Sequence, residues 1–346
     1  KKTDTTAYTP TLIPSITQVF SNKTQRQNLL SLSKIEFLSI VKDPVFSILL
    51  VIGIIISVVT IFLANETYGT PNLPLTRYVM VFISGGISLL SIIILVIYSG
   101  EAVHRTRKNK TFVFYDALPI SYASLYFSKI ISLLGIALIL TVVNIVIGVL
   151  FQTFNGYFVY EFDMYLVYTF GIVLPGFITT VLLAFFVHVL VNNKFLGHFI
   201  VILLYVGLPL LIALAFKSTN PMLIYGGTPP FFISDLNGFG HYLTGITWLN
   251  LYWILMTSIL MLIAKLFWNR GFFSSVKERI TLAKQRLSTK TIGAFLVVLV
   301  AFISVAGYSY YNLQVLNKMV DGNNSEKIEA NAEKKYAKYI GQPHPQ

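Results

Sequence analysis

This sequence predicts an all-α polytopic membrane protein of about seven transmembrane helices, with its N-terminal end in the cytoplasm and its C-terminal end outside. Three observations carry that prediction. Hydrophobic residues make up 55% of the 346 and charged residues only 12%, about half the charged share of a soluble domain. The apolar residues fall into charge-free runs of about 20, the length a helix needs to cross a bilayer. The 26 Lys+Arg gather between those runs, on alternate loops.

Residues 1–28 are polar, rich in Thr and Ser, and carry Pro10 and Pro14. They read as a linker or tail of a longer chain, with no cleavable apolar stretch behind Lys1 and Lys2. Residues 29–43 are helical in character but too polar to span. A helix lying at the cytoplasmic interface is expected there, with an extension of the first span as the alternative.

The first span is 45–64, VFSILLVIGIIISVVTIFLA, preceded by Asp43-Pro44 as N-cap and first-turn proline. Each central Leu, Ile, Val or Phe favours insertion by roughly 0.3–0.6 kcal/mol, and no charge opposes them. Further spans are expected at 78–99, 124–150, 164–191, 196–216, 247–268 and 292–311, with kinks at Pro175-Gly176 and Pro209. The membrane domain is then 44–311, and 312–346 is a polar segment on the outer side. Only the short stretch 191–197 divides the fourth span from the fifth. A single crossing by 164–216 would invert everything after it.

Basic residues orient the set. The segment before the first span holds Lys1, Lys2, Lys23, Arg26, Lys34 and Lys42. The second basic loop holds Arg105, Arg107, Lys108 and Lys110, the short turn Lys194, and 265–290 seven more. The three intervening loops have Arg77, none and Lys217. Alternate loops are therefore basic, which places the N-terminus inside. This placement, facing an anionic leaflet, explains the formal net charge of +12 without nucleic acid. There are no cysteines, which excludes disulfides and thiolate chemistry.

The segment 100–123 is the most informative. Glu101 closes the second span, and Arg105 and Arg107 belong to a basic cluster. Apolar Phe112 and Tyr115 follow, then Asp116 and Pro119, and Lys129 enters the next span. A short helix beneath the membrane, suited to contact with a soluble protein, is expected here. In 274–290, Val276, Ile280, Ala283 and Leu287 share a helical face, with Lys277, Arg279, Lys284 and Arg286 as its charges. Two readings of this basic helix stay open: it lies on the membrane surface, or it docks a cytoplasmic partner. Outside, 217–246 mixes Gly, Pro and aromatics around Asp235, Asn237, Gly238 and His241, which suggests a compact re-entrant or capping element. Residues 325–340 read as a charged helix in water.

No catalytic, cofactor-binding or metal residues are assigned. None of the five histidines lies in an HExxH pattern. His188 and His198 suit a helix–helix hydrogen bond or an interfacial placement better than a metal site. No GxxxxGK[ST] or GxSxG occurs. The spans hold few ionisable groups, which argues against a proton-coupled carrier. A transporter of this composition would borrow its energy from a partner.

The run from Gly100-Glu101 through Arg107 to Leu118-Pro119-Ile120-Ser121 and Lys129 resembles the first cytoplasmic loop of ABC-2-type permeases. A closer similarity is to the permease portion of permease/M1 aminopeptidase fusions of Bacteroidota-type bacteria. It is carried by Ile35-Glu36-Phe37, Lys42-Asp43-Pro44, Tyr98-Ser99-Gly100-Glu101, Tyr115-Asp116-Ala117-Leu118-Pro119 and Asn192-Asn193-Lys194-Phe195-Leu196-Gly197. Ser234-Asp235-Leu236-Asn237-Gly238-Phe239-Gly240-His241, Tyr252-Trp253 and Trp268-Asn269-Arg270-Gly271 extend it, over about 30–345.

The resemblance implies half of an exporter in a bacterial inner membrane, with an interfacial N-terminal helix and a cytoplasmic coupling helix. Its partners would be a second permease half or homodimer mate and a separate ABC ATPase that supplies ATP and Mg. It further implies that Glu101, Arg105, Arg107, Phe112, Tyr115, Asp116 and Pro119 form the ATPase-coupling loop, and that the seventh span leads to a soluble periplasmic domain. Two other readings stand beside this one: a membrane anchor for an M1-type zinc aminopeptidase domain, and a non-transporting scaffold.

Overall fold

In the computed structural model the described residues are 21–63, 66–67, 69–111, 120–191, 193–218, 220–234, 236–268, 275–317 and 322–339. Among them, seven helices are long and apolar enough to cross a membrane. They are α2 (Pro44–Leu63), α3 (Thr76–Lys108), α4 (Tyr122–Phe154), α5 (Phe162–Leu190), α6 (Lys194–Phe216), α7 (Tyr242–Phe267) and α9 (Thr289–Leu316). Three more polar helices complete the set: α1 (Asn22–Val41), α8 (Val276–Gln285) and α10 (Gly322–Tyr336). A two-residue ladder pairs Glu66–Thr67 with Thr70–Pro71 between α2 and α3.

Each expected span is present, and the uncertain 164–216 region is two helices. The break comes at Val191, whose backbone is extended, and at Asn193. The Asn193 side chain accepts hydrogen bonds from the amides of Phe195 and Leu196, giving α6 its N-cap. Asp43 likewise accepts from Val45 N at 3.0 Å, ahead of Pro44 at the first position of α2.

Several elements run past their expected ends: α1 begins at Asn22, inside the stretch read as a polar linker, and α3 and α9 run on at their C-terminal ends. Nothing in the sequence from Gly100 to Lys108 breaks a helix, so α3 continues through it. Arg105, Arg107 and Lys108 in its last turn suit the negative end of the helix dipole. It stops where Lys110 turns left-handed (φ 55°). There Lys110 N bonds to Arg107 O and Thr111 N to Thr106 O, the paired closure of a Schellman end. The stretch 103–108 is therefore the last turns of α3 and no separate helix; 112–119 lie outside the described residues. At the other terminus, α9 extends to Leu316, so 312–316 belong to the spanning helix.

Both prolines inside spans sit just behind a widened π-turn: Thr169–Val173 before Pro175, and Leu203–Gly207 before Pro209. Proline has no N–H and its ring crowds the carbonyl four residues back, so the preceding turn opens. In α5 that carbonyl belongs to Gly171. It accepts instead from Asn250 Nδ2 of α7 at 2.6 Å.

The buried centre lies between α3, α4 and α5, where Leu95, Leu133, Leu140, Val181 and Phe185 are fully enclosed. α2 packs on α3 and α7 on α5. α1 lies along α4, with Phe37 over Gly135. α6 and α9 stay at the periphery, where Leu210, Leu214, Val297 and Val300 are exposed.

Candidate functional site

Polar groups from α1, α3, α4, α5, α6 and α8 gather at one end of the bundle, called here the basic end. Its centre is Glu36 on α1. One carboxylate oxygen accepts from Arg105 at 2.6 Å and the other from Lys129 at 2.8 Å. Glu36 and Lys129 are both buried, where an unpaired charge would be costly. The carboxylate therefore ties α1 to the last turns of α3 and the first turns of α4. Glu36 is the sole acid between Asp4 and Asp43, in a segment with four basic residues. That solitary position, and Lys129 at the head of an apolar run, are the sequence signals for the two members of this cluster, Glu36 and Lys129, that the expected site residues lacked; Arg105 was among those expected.

A second junction lies between α3, α5 and α6. Glu101 pairs with Lys194. Beside it, His188 Nε2 is hydrogen-bonded to His198 Nδ1 at 3.2 Å, and the His104 ring meets that of His188 edge to face at 5.4 Å. The imidazoles fit because two glycines face them. A Cβ on Gly100 would stand 2.6 Å from His198 Cε1, and one on Gly197 would overlap the His188 ring. The expected hydrogen bond between these two histidines is present. Among the described residues no group of three or more His, Cys, Asp and Glu could hold a metal ion.

The arginines of α8 point into the bundle. Arg279 donates to Val189 O at 2.6 Å and Leu190 O at 2.7 Å, taking two carbonyls that the C-terminus of α5 leaves open. Burial lowers the Arg279 pKa, and the nearby Arg107 charge adds to that. Arg286 does the same for α7: it donates to Leu266 O at 3.1 Å and to Trp268 O, and to Tyr122 Oη at 2.7 Å. Lys277 and Lys284 are exposed. The four expected cations of this helix therefore divide into two caps and two surface charges.

Glu101 and Arg105 are one turn apart on α3, yet they engage different helices, α6 and α1. Arg107 is exposed at the end of α3. Phe112, Tyr115, Asp116 and Pro119 lie outside the described residues, as does Asp235.

At the opposite end, 217–246 packs down on the helices. Tyr225 Oη bonds with Thr257 Oγ1 at 2.9 Å and donates to Thr179 O at 3.1 Å, and Trp253 Nε1 donates to Gly227 O at 3.2 Å. Burial raises the Tyr225 pKa above its ordinary value, so it remains a donor. Phe239 is buried against Tyr168 and Phe231. A tight bridge between Ser234 and Gly238 positions it, with Gly238 and Gly240 at positive φ. Asn237 and His241 remain exposed. Lys217 then pairs with Glu326 of α10 at 2.6 Å.

Among the described residues, these contacts join helices to one another. At the basic end, charges and imidazoles link α1 to α3 and α4, and α3 to α5 and α6. A family model described as ABC-2 family transporter protein matches residues 32–217, which includes both junctions. None of the curated proteins compared with the chain matches it.

Proposed function

Since this chain belongs to the ABC-2 transporter family, we propose that it is the membrane-spanning permease half of an ATP-driven exporter. A separate cytoplasmic ABC ATPase supplies ATP and Mg, and a second half, identical or related, completes the path. The basic end faces the cytoplasm of a bacterial inner membrane, following the positive-inside bias.

The observation that carries this reading is the Glu36 cluster. α3 ends at Lys108 and α4 begins at Tyr122, so the segment between them leaves from and returns to the helices that Glu36 holds together. An ATPase pressing on 109–121 would move the ends of α3 and α4. Arg105 and Lys129 would carry that movement to α1 through one carboxylate. The Glu101–Lys194 pair would carry it to α6. In this role Glu101 and Arg105 transmit force, and Arg107, Phe112, Tyr115, Asp116 and Pro119 face the ATPase.

Purification of the tagged chain from its own host's membranes in mild detergent tests the proposal. An ABC-type ATPase is expected to co-purify in a fixed ratio and to be lost when Tyr115 and Asp116 are both replaced by Ala. Recovery of the chain with no such ATPase would refute it.

A second reading, a membrane anchor for an external domain, rests on the placement of α10. Its Glu326 and Gly322 N bond to Lys217, at the end of α6 away from the basic end. A soluble domain following α10, such as an M1-type zinc aminopeptidase, would sit outside, with this membrane domain as its anchor. Sequencing the gene beyond the codon for Gln346 decides this: an HExxH downstream supports the fusion, and a stop codon removes it.

A further inference from the structure

We propose that α8 is a lipid-binding interfacial helix that takes anionic phospholipid headgroups on Lys277 and Lys284. Residues follow one another around a helix at about 100° each, which sorts the α8 side chains into successive strips. Arg279, Ala283 and Arg286 form the first and lie against the bundle; Arg279 and Ala283 are buried and both arginines are held by backbone carbonyls. The next strip is apolar and uncovered: Val276 is 73% exposed and Ile280 43%, and Leu287, just past the end of the helix, is 47% exposed. Lys277 and Lys284 follow on its far edge, and Thr281 and Gln285 come after them, all exposed.

Bundle, apolar strip, cations, polar strip is the order for a helix lying in the plane of a membrane surface. The apolar strip enters the acyl boundary, the ammonium groups stand at headgroup height and the polar strip faces water. The arginines, fixed inward, cannot serve the headgroups, so the two lysines select them by charge. A soluble acidic partner would need the apolar strip covered by protein, whereas a bilayer covers it with no further contact. Because Arg279 and Arg286 hold the C-termini of α5 and α7, lipid occupancy of α8 is felt by two spanning helices.

The chain has no cysteine, so single labels test the placement in the full-length protein. Ile280→Cys and Gln285→Cys are each labelled with an environment-sensitive fluorophore and reconstituted in nanodiscs of phosphatidylcholine with phosphatidylglycerol. The label at 280 is expected to be quenched by spin-labelled lipid and spared by aqueous iodide, and the label at 285 the reverse. Quenching by headgroup-labelled phosphatidylglycerol is expected to exceed that by the phosphatidylcholine analogue. In Lys277→Gln/Lys284→Gln that preference should drop, by about fivefold per lysine at low salt. Iodide access at 280 would overturn the proposal. So would shielding of 280 from both quenchers, which would mean a protein partner or second copy covers it. An unchanged lipid preference in the double variant would also overturn it.

Discussion

Glu36 and Lys129 meet as a buried ion pair at 2.8 Å, their side chains 8% and 6% exposed. The asymmetry around this pair is informative. Glu36 has two cationic partners, whereas its loss would leave Lys129 without this charge partner. Glu36→Ala should therefore destabilise more than Lys129→Ala, by about 3–5 kcal/mol against a smaller loss. Glu36→Gln/Lys129→Met should recover part of the difference. Thermal unfolding of the purified variants in one detergent measures this. Equal losses for the two single variants would show that the carboxylate is not the shared anchor.

The imidazole junction leaves no room for a methyl group on α3. Gly100→Ala puts a Cβ against His198 and His188, and overpacking of this kind costs about 1–3 kcal/mol. Replacing His198 by Ala in the same chain should remove most of that cost. A thermal shift for Gly100→Ala that His198→Ala leaves in place would contradict the close approach.

Asn250 has a defined task, to satisfy the Gly171 carbonyl that Pro175 cannot bond. Asn250→Ala should cost about 0.6 kcal/mol, with about 1.7 as the upper range for a hydrogen bond between membrane helices. In a Pro175→Ala background residue 175 regains its N–H, so the same replacement should cost less. Additive losses in that double-mutant cycle would separate Asn250 from the proline.

Orientation is open to direct measurement, again because native cysteine is lacking. Lys23→Cys should react with a membrane-impermeant maleimide only after permeabilisation, and Glu329→Cys in intact cells. Labelling of both from the same side would require an even number of crossings.

The seven spans were legible in the sequence because each holds a charge-free apolar run of about 20 residues, the length a helix needs to cross a bilayer. Helix ends were less so. The helix through Gly100 to Lys108 is continuous with α3, although its charges suggested a loop. Charge placed these residues at the membrane boundary, but the backbone there is ended by turn geometry at Lys110.

The side-chain pairings were the least legible. Arg279 and Arg286 repeat at seven residues, and so do Lys277 and Lys284. Nothing in that spacing says which pair faces the bundle. The outcome depends on where the C-termini of α5 and α7 present open carbonyls, a tertiary fact. His188 and His198 could be paired from sequence because one short turn separates their helices. Glu36 and Arg105, 69 positions apart, could not.

ATP turnover by the chain and its co-purified ATPase, reconstituted together in proteoliposomes, decides whether this is a permease half. The expected result is vanadate-sensitive hydrolysis that depends on the chain and falls several-fold when Arg105→Gln removes its bond to Glu36. Hydrolysis at the same rate with the chain present, absent or carrying Arg105→Gln would contradict it.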